Sequence, residues 1–326
     1  GGIALSAHTD VVPIEGQEWT RDAFRLTREG DRVFGRGTTD MKGYVAAMMN
    51  AADIASRAKL AAPLKLVFSY DEEIGCVGIR KMIEPLAPMI GKPRACFVGE
   101  PTNMQIAVGH KGKAALRAIC TGQAGHSSLA PQFVNALHLA VDLVAGLRDV
   151  QKWLTENGAR DDAYDVPFST VHAGTMAGGK ALNIVADHAE VLFEYRHLAA
   201  DAPTMIEARI NALADIINKR YQSMCPDVSV TIRTVTAYPG LDVSACSQAA
   251  TLACRLLGAN ATTKVAFGTE AGFFSGLGLD TLVVGPGNMA SDGHKPDEGL
   301  SRTQLAACDQ MMNNIAASLG AKRAPR

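Results

Sequence analysis

The sequence contains no CxxC pair, no basic cluster, no internal repeat, no low-complexity tract and no apolar run of the ~18 residues a membrane-spanning helix needs. Its seven cysteines, at 76, 96, 120, 225, 246, 254 and 308, are odd in number and lie mostly in apolar segments. Reduced, buried thiols in a cytoplasmic protein fit that pattern better than a disulfide framework or a thiolate zinc site. With a formal net charge of -1 there is no electrostatic footprint for a nucleic-acid or membrane partner, so a small-molecule substrate is expected. Nothing at the start reads as a signal peptide. Gly1-Gly2 stand directly before a strand-like run, as though a preceding segment were missing. What is present is ordinary globular composition. The 326 residues are 47% hydrophobic and 20% charged, enough for a large core or two domains and unlike a disordered or fibrous chain.

Three short apolar runs share one feature. Ile3 to Ala7 ends at His8, Leu64 to Tyr70 at Asp71, and Ala95 to Val98 at Gly99-Glu100. Each has the length and bias of a buried strand, with helical patterns between, such as Lys42 to Ala58; this predicts an α/β sheet covered on both faces. Ligands in such sheets bind at the carboxyl ends of strands, where His8, Asp10, Glu72, Glu73 and Glu100 would stand. From about Lys111 the rhythm changes. Ala114 to Thr121 reads as a strand, and Phe133 to Val150 as a helix with Val134, Leu137, Val141 and Val144 inward. A polar loop at 151–165 and strands at 169–177 and 186–196 follow. A helix capped by Asp201, with Ile206, Ile210, Leu213 and Ile217 inward, precedes an alternating strand at 228–235. The order β-α-β-β-α-β is the ferredoxin-like unit. The expected organisation is a discontinuous catalytic domain, 1–110 with 237–326, carrying an inserted domain, 111–236. The first rhythm resumes with a helix near 245–257, a strand at 281–284 and a final helix bearing Leu305, Cys308, Met312, Ile315 and Leu319.

Asp40, in the Gly/Thr-rich stretch Gly35 to Gly43, is the carboxylate on which other polar positions can converge. Two histidines, His8 and His294, and two further carboxylates, Glu73 and Glu100, would complete two adjacent metal sites, with Asp40 bridging through its two oxygens. Asp10 is the natural acceptor for the His8 ring N–H. Glu72, beside Glu73, is left over; its economical role is general base on a water between the metals, passing the proton on to the leaving amine. Asp297 and Glu298 read as loop or helix-start charges.

The segments SAHTDVVP (6–13), GRGTTDMKG (35–43), DEEIGCVG (71–78), GEPT (99–102), GHSS (125–128) and GHKPDE (293–298) together resemble the co-catalytic zinc deacylases and exopeptidases, a family that includes desuccinylases and aminoacylases. The resemblance spans nearly the whole chain, in order. It implies a peptidase-like catalytic domain with an inserted lid and homodimerisation domain, and two divalent metal ions, zinc first with cobalt also fitting. His8 and Glu100 would hold one ion and Glu73 and His294 the other, with Asp40 bridging, Glu72 as base and Asp10 supporting His8. It also implies that His126 reaches the partner subunit's active site to stabilise the oxyanion, and that Asn183 and Arg196, in strands of the inserted domain, grip the acyl oxygen or α-carboxylate of an acyl-amino-acid. An arginine's fork suits a carboxylate.

Within the family, GHKGKAALR (109–117), HSSLAP (126–131) with Asn135, and GTEAG (268–272) are similar to the acetylornithine deacetylases. Hydrolysis of N2-acetyl-L-ornithine is the activity this implies, with Glu270 reading the substrate's cationic side chain. A related deacylase or dipeptidase is the alternative, and a non-catalytic metal-binding homologue is the alternative of another class. Family members carry about one helix and one or two strands ahead of the His-Thr-Asp segment, where this sequence has seven residues.

Overall fold

The structure is a computed structural model that describes residues 1–320. Residues 1–110 form β1 (Ile3–His8), β2 (Thr27–Glu29), β3 (Arg32–Phe34), α1 (Gly43–Ser56), β4 (Leu64–Ser69), α2 (Val77–Ile90), β5 (Ala95–Val98) and β6 (Ile106–His110). The middle of the chain forms β7 (Gly112–Thr121), α3 (Ala136–Asn157), β8 (Thr170–Gly178), β9 (His188–His197), α4 (Pro203–Gln222) and β10 (Ser229–Tyr238). The remainder forms β11 (Leu241–Asp242), α5 (Gln248–Leu257), β12 (Thr262–Val265), α6 (Ala271–Gly276), β13 (Thr281–Val283), β14 (Gly299–Ser301) and α7 (Arg302–Leu319). Two compact units result, residues 1–110 with 240 onward, and residues 111–239. Because β10 runs to Tyr238, the seam falls after Pro239, three residues beyond the expected 236.

In the first unit one sheet has the order β11-β6-β13-β5-β1-β4, with β12 also paired to β6. β4, β1, β5 and β13 are parallel, and Ile3 of β1 lies between Leu64 and Ala95. β1 and β5 are buried at every residue, which is why they read as unbroken apolar runs rather than alternating ones. Helix α1 buries Tyr44, Ala47, Met48, Ala51 and Ala55 at three- and four-residue spacing, and α7 buries Cys308, Met311, Met312, Ile315 and Leu319. These meet Ile3, Leu5 and Phe97 in one core, where each large aliphatic contributes ~1.5–3 kcal/mol by leaving water. A small second sheet, β14-β3-β2, joins residues 27–34 to 299–301.

The second unit is an antiparallel sheet of order β10-β7-β9-β8, connected β-α-β-β-α-β, the ferredoxin-like arrangement. β7 and β9 alternate buried and partly exposed residues, as strands with one covered face do. Helix α3 corrects the expected face at one position: Val134 is buried and Leu137 and Val144 pack against the core, but Val141 does not. The helix starts after Asn135, whose Oδ1 accepts the Leu137 N–H (2.9 Å), and buries Ala136, Leu139, Ala140, Leu143, Leu147, Val150 and Leu154, leaving Val141 52% exposed. Both registers carry apolar residues, but the stripe ending at Leu154 is longer, and it draws helix into the segment expected as loop. Asp201 does not cap α4; Ala202 holds that position, and the Asp201 carboxylate accepts from the Ala159 N–H (2.9 Å) and the Ser169 hydroxyl. All seven cysteines are unpaired, five of them buried. Among the described residues no helix is long and apolar enough to cross a membrane.

Candidate metal centre

β4, β1 and β5 are parallel neighbours, so the residues at their carboxyl ends gather at one edge of the sheet. His8 is the last residue of β1; Glu72 and Glu73 follow β4, and Glu100 follows β5. Gly99 makes the last placement workable, because a Cβ there would fall 1.9 Å from the Tyr44 ring. Asp40 comes from the turn Thr38–Lys42 just ahead of α1 and is buried; its peptide bond to Met41 is cis. His294 comes from the loop after β13, with a left-handed φ of 61°.

The two oxygens of Asp40 face different imidazoles. His8 Nε2 lies 3.0 Å from Oδ1 and His294 Nε2 lies 3.1 Å from Oδ2. Glu100 Oε1 is 3.8 Å from His8 Nε2, and Glu73 Oε2 is 3.1 Å from His294 Nε2. Two N/O triads therefore share Asp40. Ligand-type atoms of His8, Asp40 and Glu73 also fall within 4.8 Å of one another, as do those of His8, Glu72 and Glu100, so Glu72 stands close to the His8 side.

The charges in this cluster are strained by burial. Burial drives the Glu100 carboxyl well above its ordinary range, reinforced by Asp40. Burial also lifts Glu72 to about 8, the charge of His8 opposing and that of Glu270 adding. Burial alone would lift Asp40 too, but its hydrogen bonds to His294 and His8 win and hold it well below the usual range. His8 is raised although burial opposes it, through Asp10, Asp40 and Glu100. His294 is raised to about 10 by Asp40 and Glu73. Three carboxylates and two imidazoles, with no thiolate among them, are a donor set for divalent zinc, cobalt or manganese, and a cation between them would relieve the mutual repulsion of the carboxylates. The residues fit such an ion.

Asp10 faces the His8 ring N–H with both its carbonyl and its carboxylate. The closer acceptor for His8 Nδ1 is the Asp10 main-chain carbonyl (3.1 Å), with side-chain Oδ1 at 3.4 Å. The other side-chain oxygen accepts the Glu73 N–H (3.1 Å), so Asp10 braces two of the triads' members. Glu72 Oε1 accepts from the buried Cys76 thiol (3.2 Å), a contact that no feature of the local pattern marks. Glu270 is buried at 1% exposure, and neither of its oxygens has a hydrogen-bond partner. The Ser69 hydroxyl stands near enough to lower its pKa but is directed at the Ala7 carbonyl (3.4 Å); burial prevails and lifts Glu270 to about 7.

Glu298, expected as a loop charge, is buried at 1% exposure and ion-paired to Arg36 (2.6 Å). Asp297 does stay near the surface, accepting from the Thr20 N–H (3.1 Å) and hydroxyl (2.7 Å). Gln17, which nothing in the local pattern marks, donates to the His294 carbonyl (3.0 Å).

The three remaining expected residues belong to the second unit. His126 is exposed, its Nδ1 2.8 Å from the Ser128 hydroxyl. Asn183 lies in the exposed turn between β8 and β9 rather than in a strand, and its carbonyl accepts the Ser127 N–H (3.0 Å), which brings it beside His126. Arg196, within β9, donates from Nε to Glu194 (2.9 Å), a carboxylate also paired with Lys113 (2.8 Å).

The sequence model of the peptidase family M20/M25/M40 matches residues 4–318. Among solved structures the chain is similar to aminopeptidase PepT of Bacillus cereus, at 19% identity over 98% of this chain and 80% of that one, with a TM-score of 0.73. It is also similar to an M20 family metallo-carboxypeptidase of Sulfolobus solfataricus (18% identity, 97% and 84% covered, TM-score 0.76). A third is the YXEP protein of Bacillus subtilis, described as a dinuclear metal-binding peptidase of the M20 family (17% identity, 98% and 82% covered, TM-score 0.64). At these identities the structural likeness speaks to the fold.

Proposed function

The chain belongs to the peptidase family M20/M25/M40, and from that premise we propose that it is a metal-dependent amide hydrolase that converts N2-acetyl-L-ornithine to L-ornithine and acetate. The observation that carries the metal dependence is the division of Asp40 between two imidazoles, 3.0 Å and 3.1 Å from its separate oxygens. In this reading His8 and Glu100 hold one divalent ion, His294 and Glu73 the other, and Asp40 both. Zinc is the first choice and cobalt fits the same donors. Two such ions supply Lewis acidity at the scissile carbonyl and acidify the attacking water.

Glu72 accepts the water's proton on a carboxylate oxygen and returns it to the amine nitrogen as the C–N bond breaks, a service worth ~10²- to 10⁴-fold. The Cys76 thiol, 3.2 Å away, limits the rotation of that carboxylate. Asp10 fixes the His8 ring through its carbonyl, so that Nε2 faces Asp40. Glu270 reads the ornithine side chain: a buried carboxylate without a partner is costly, and the substrate's ammonium would complete it. In the homodimer this reading implies, His126 would reach the partner subunit's active site to stabilise the oxyanion, and Asn183 and Arg196 would grip the acyl oxygen or the α-carboxylate. Arg196 would exchange Glu194 for that carboxylate. The second unit is in this reading a lid and homodimer surface, supported by the exposure of Met176, Leu182 and Ile184.

Dipeptide hydrolysis by the same residues is the second reading, favoured by the peptidase names of the solved relatives above. A steady-state assay of the zinc-loaded protein on N-acetyl-ornithine, N-succinyl-diaminopimelate, N-acetyl-methionine and a dipeptide series separates the two, with Glu72→Ala and chelator controls. Turnover concentrated on acetylornithine and lost in both controls is expected. Turnover concentrated on dipeptides overturns the substrate and keeps the chemistry. No turnover on any substrate with two metals bound overturns catalysis.

A further inference from the structure

We propose that Glu298 is a positioning residue that fixes Asp40 against His294 and thereby holds the second of the two metal-binding triads; the inference rests on the metal-centre reading above. Its carboxylate is met on both oxygens by the turn that carries Asp40. The N–H groups of Thr39 (2.8 Å) and Asp40 (3.0 Å) donate to Oε1, and the Gly37 N–H (3.1 Å) and Arg36 Nη1 (2.6 Å) donate to Oε2. Backbone N–H groups converging on one anion form a nest, and Gly37 permits it by taking φ 84°, ψ 2°. Hydrogen bonds to a charged acceptor are stronger than neutral ones, and at 1% exposure water does not compete for these.

Glu298 lies four residues beyond His294. One end of this short segment touches the Asp40 side chain, His294 Nε2 to Oδ2 at 3.1 Å, while the other end holds the Asp40 main-chain N–H at 3.0 Å. Asp40, His294 and Glu298 thus form a closed ring of contacts, and its closure fixes where the left-handed His294 can stand. His8 needs no such brace because a buried strand carries it. A buried ion pair is rarely the cheapest filling for a core. Here it carries on to Asp40 the register that the pairing of Gly299 with Phe34 begins, across the residues where the strand pairing has stopped.

The test is a cobalt(II) titration of the metal-free full chain, following the cobalt absorption bands and bound stoichiometry. The wild type takes two equivalents. Glu298→Gln, whose amide presents N–H groups to Arg36 and Gly37, is expected to keep the first equivalent unchanged and weaken the second about 10- to 100-fold, the range for losing a partner that orients a ligand. The band of the second equivalent should change shape. Glu298→Asp should restore part of that loss. Leu252→Ala, a core truncation in α5, supplies the control for lost stability and should keep both equivalents. Two unaltered equivalents in Glu298→Gln, or both weakened to the same extent, would overturn the proposal. Should Glu298→Gln not fold, Glu298→Asp carries the same comparison, and wild-type binding in it would overturn the proposal equally. Fewer than two equivalents in the wild type would instead sink the metal-centre reading.

Discussion

The two triads that share Asp40 are built by different means. His8 ends a strand buried along its whole length, Glu100 follows the adjacent strand, and their side chains are 1% and 4% exposed. His294 sits in a loop at left-handed φ with a side chain 48% exposed, and it is steadied by single contacts such as the Gln17 hydrogen bond to its carbonyl. A sheet places a ligand by packing distributed over many atoms. A loop must place it by a few polar contacts, each of which can be removed. The first triad should therefore be robust to the loss of any one outer partner, and the second should not.

Asp40→Asn removes the ground of the comparison, since it strikes both triads. Metal content should fall toward zero, and kcat/KM by at least about 10⁴ of the ~10⁶-fold or more that enzymes supply; metal analysis alongside kinetics checks this. Glu72→Gln should leave both triads standing and lower kcat about 10²- to 10⁴-fold with two ions retained. Because Glu72 also stands close to His8 and Glu100, loss of an ion in that variant would make it a ligand and redraw the first triad. His8→Ala and His294→Ala should each weaken one ion but differ in the metal-free protein. The first strands buried carboxylates and should cost about 3–5 kcal/mol, while the half-exposed second should cost about 0–1 kcal/mol. Urea unfolding of the two apoproteins decides. Smallest is Gln17→Ala, which removes the bond to the His294 carbonyl together with those its Oε1 accepts from Trp19 and Arg36, and should weaken only the second ion, about fivefold for the ~1 kcal/mol of the His294 contact. Equal weakening of both ions would dissolve the distinction.

The same contrast explains what the sequence disclosed. The clustering of His8, Glu73 and Glu100 was legible because each stands at the end of an apolar run, and a parallel sheet brings its strand ends together at one edge. Asp40 was legible from its glycine-flanked turn. Glu298 was not, because its partners are backbone N–H groups some 260 residues earlier in the chain, and no local pattern records a carboxylate that binds main chain. Asp10 stands beside the His8 ring as its place two residues on suggests, with both its carbonyl and its carboxylate in reach of Nδ1; its second bond, to the Glu73 N–H, was not legible because that partner lies 63 residues away. In the second unit the βαββαβ order was readable from periodicity, and most of the inward face of α3 with it, but not its centre: Val141 and Leu143 are equally apolar, and only packing against the sheet chooses between them. Asp201 beside Pro203 looked like a cap until the Ala159 N–H and the Ser169 hydroxyl claimed its carboxylate.

The small sheet that pairs β14 with β3 also sets an order of events at the ribosome. Its two partners, and with them Asp40 and His294, are separated by an entire unit of the chain. At ~5–20 residues per second, His294 is synthesised roughly 10–40 s after Glu100. Throughout that interval the nascent protein carries His8, Asp40 and Glu100 without the loop that completes the pair, so on the proposed reading the two ions would have different earliest moments of capture.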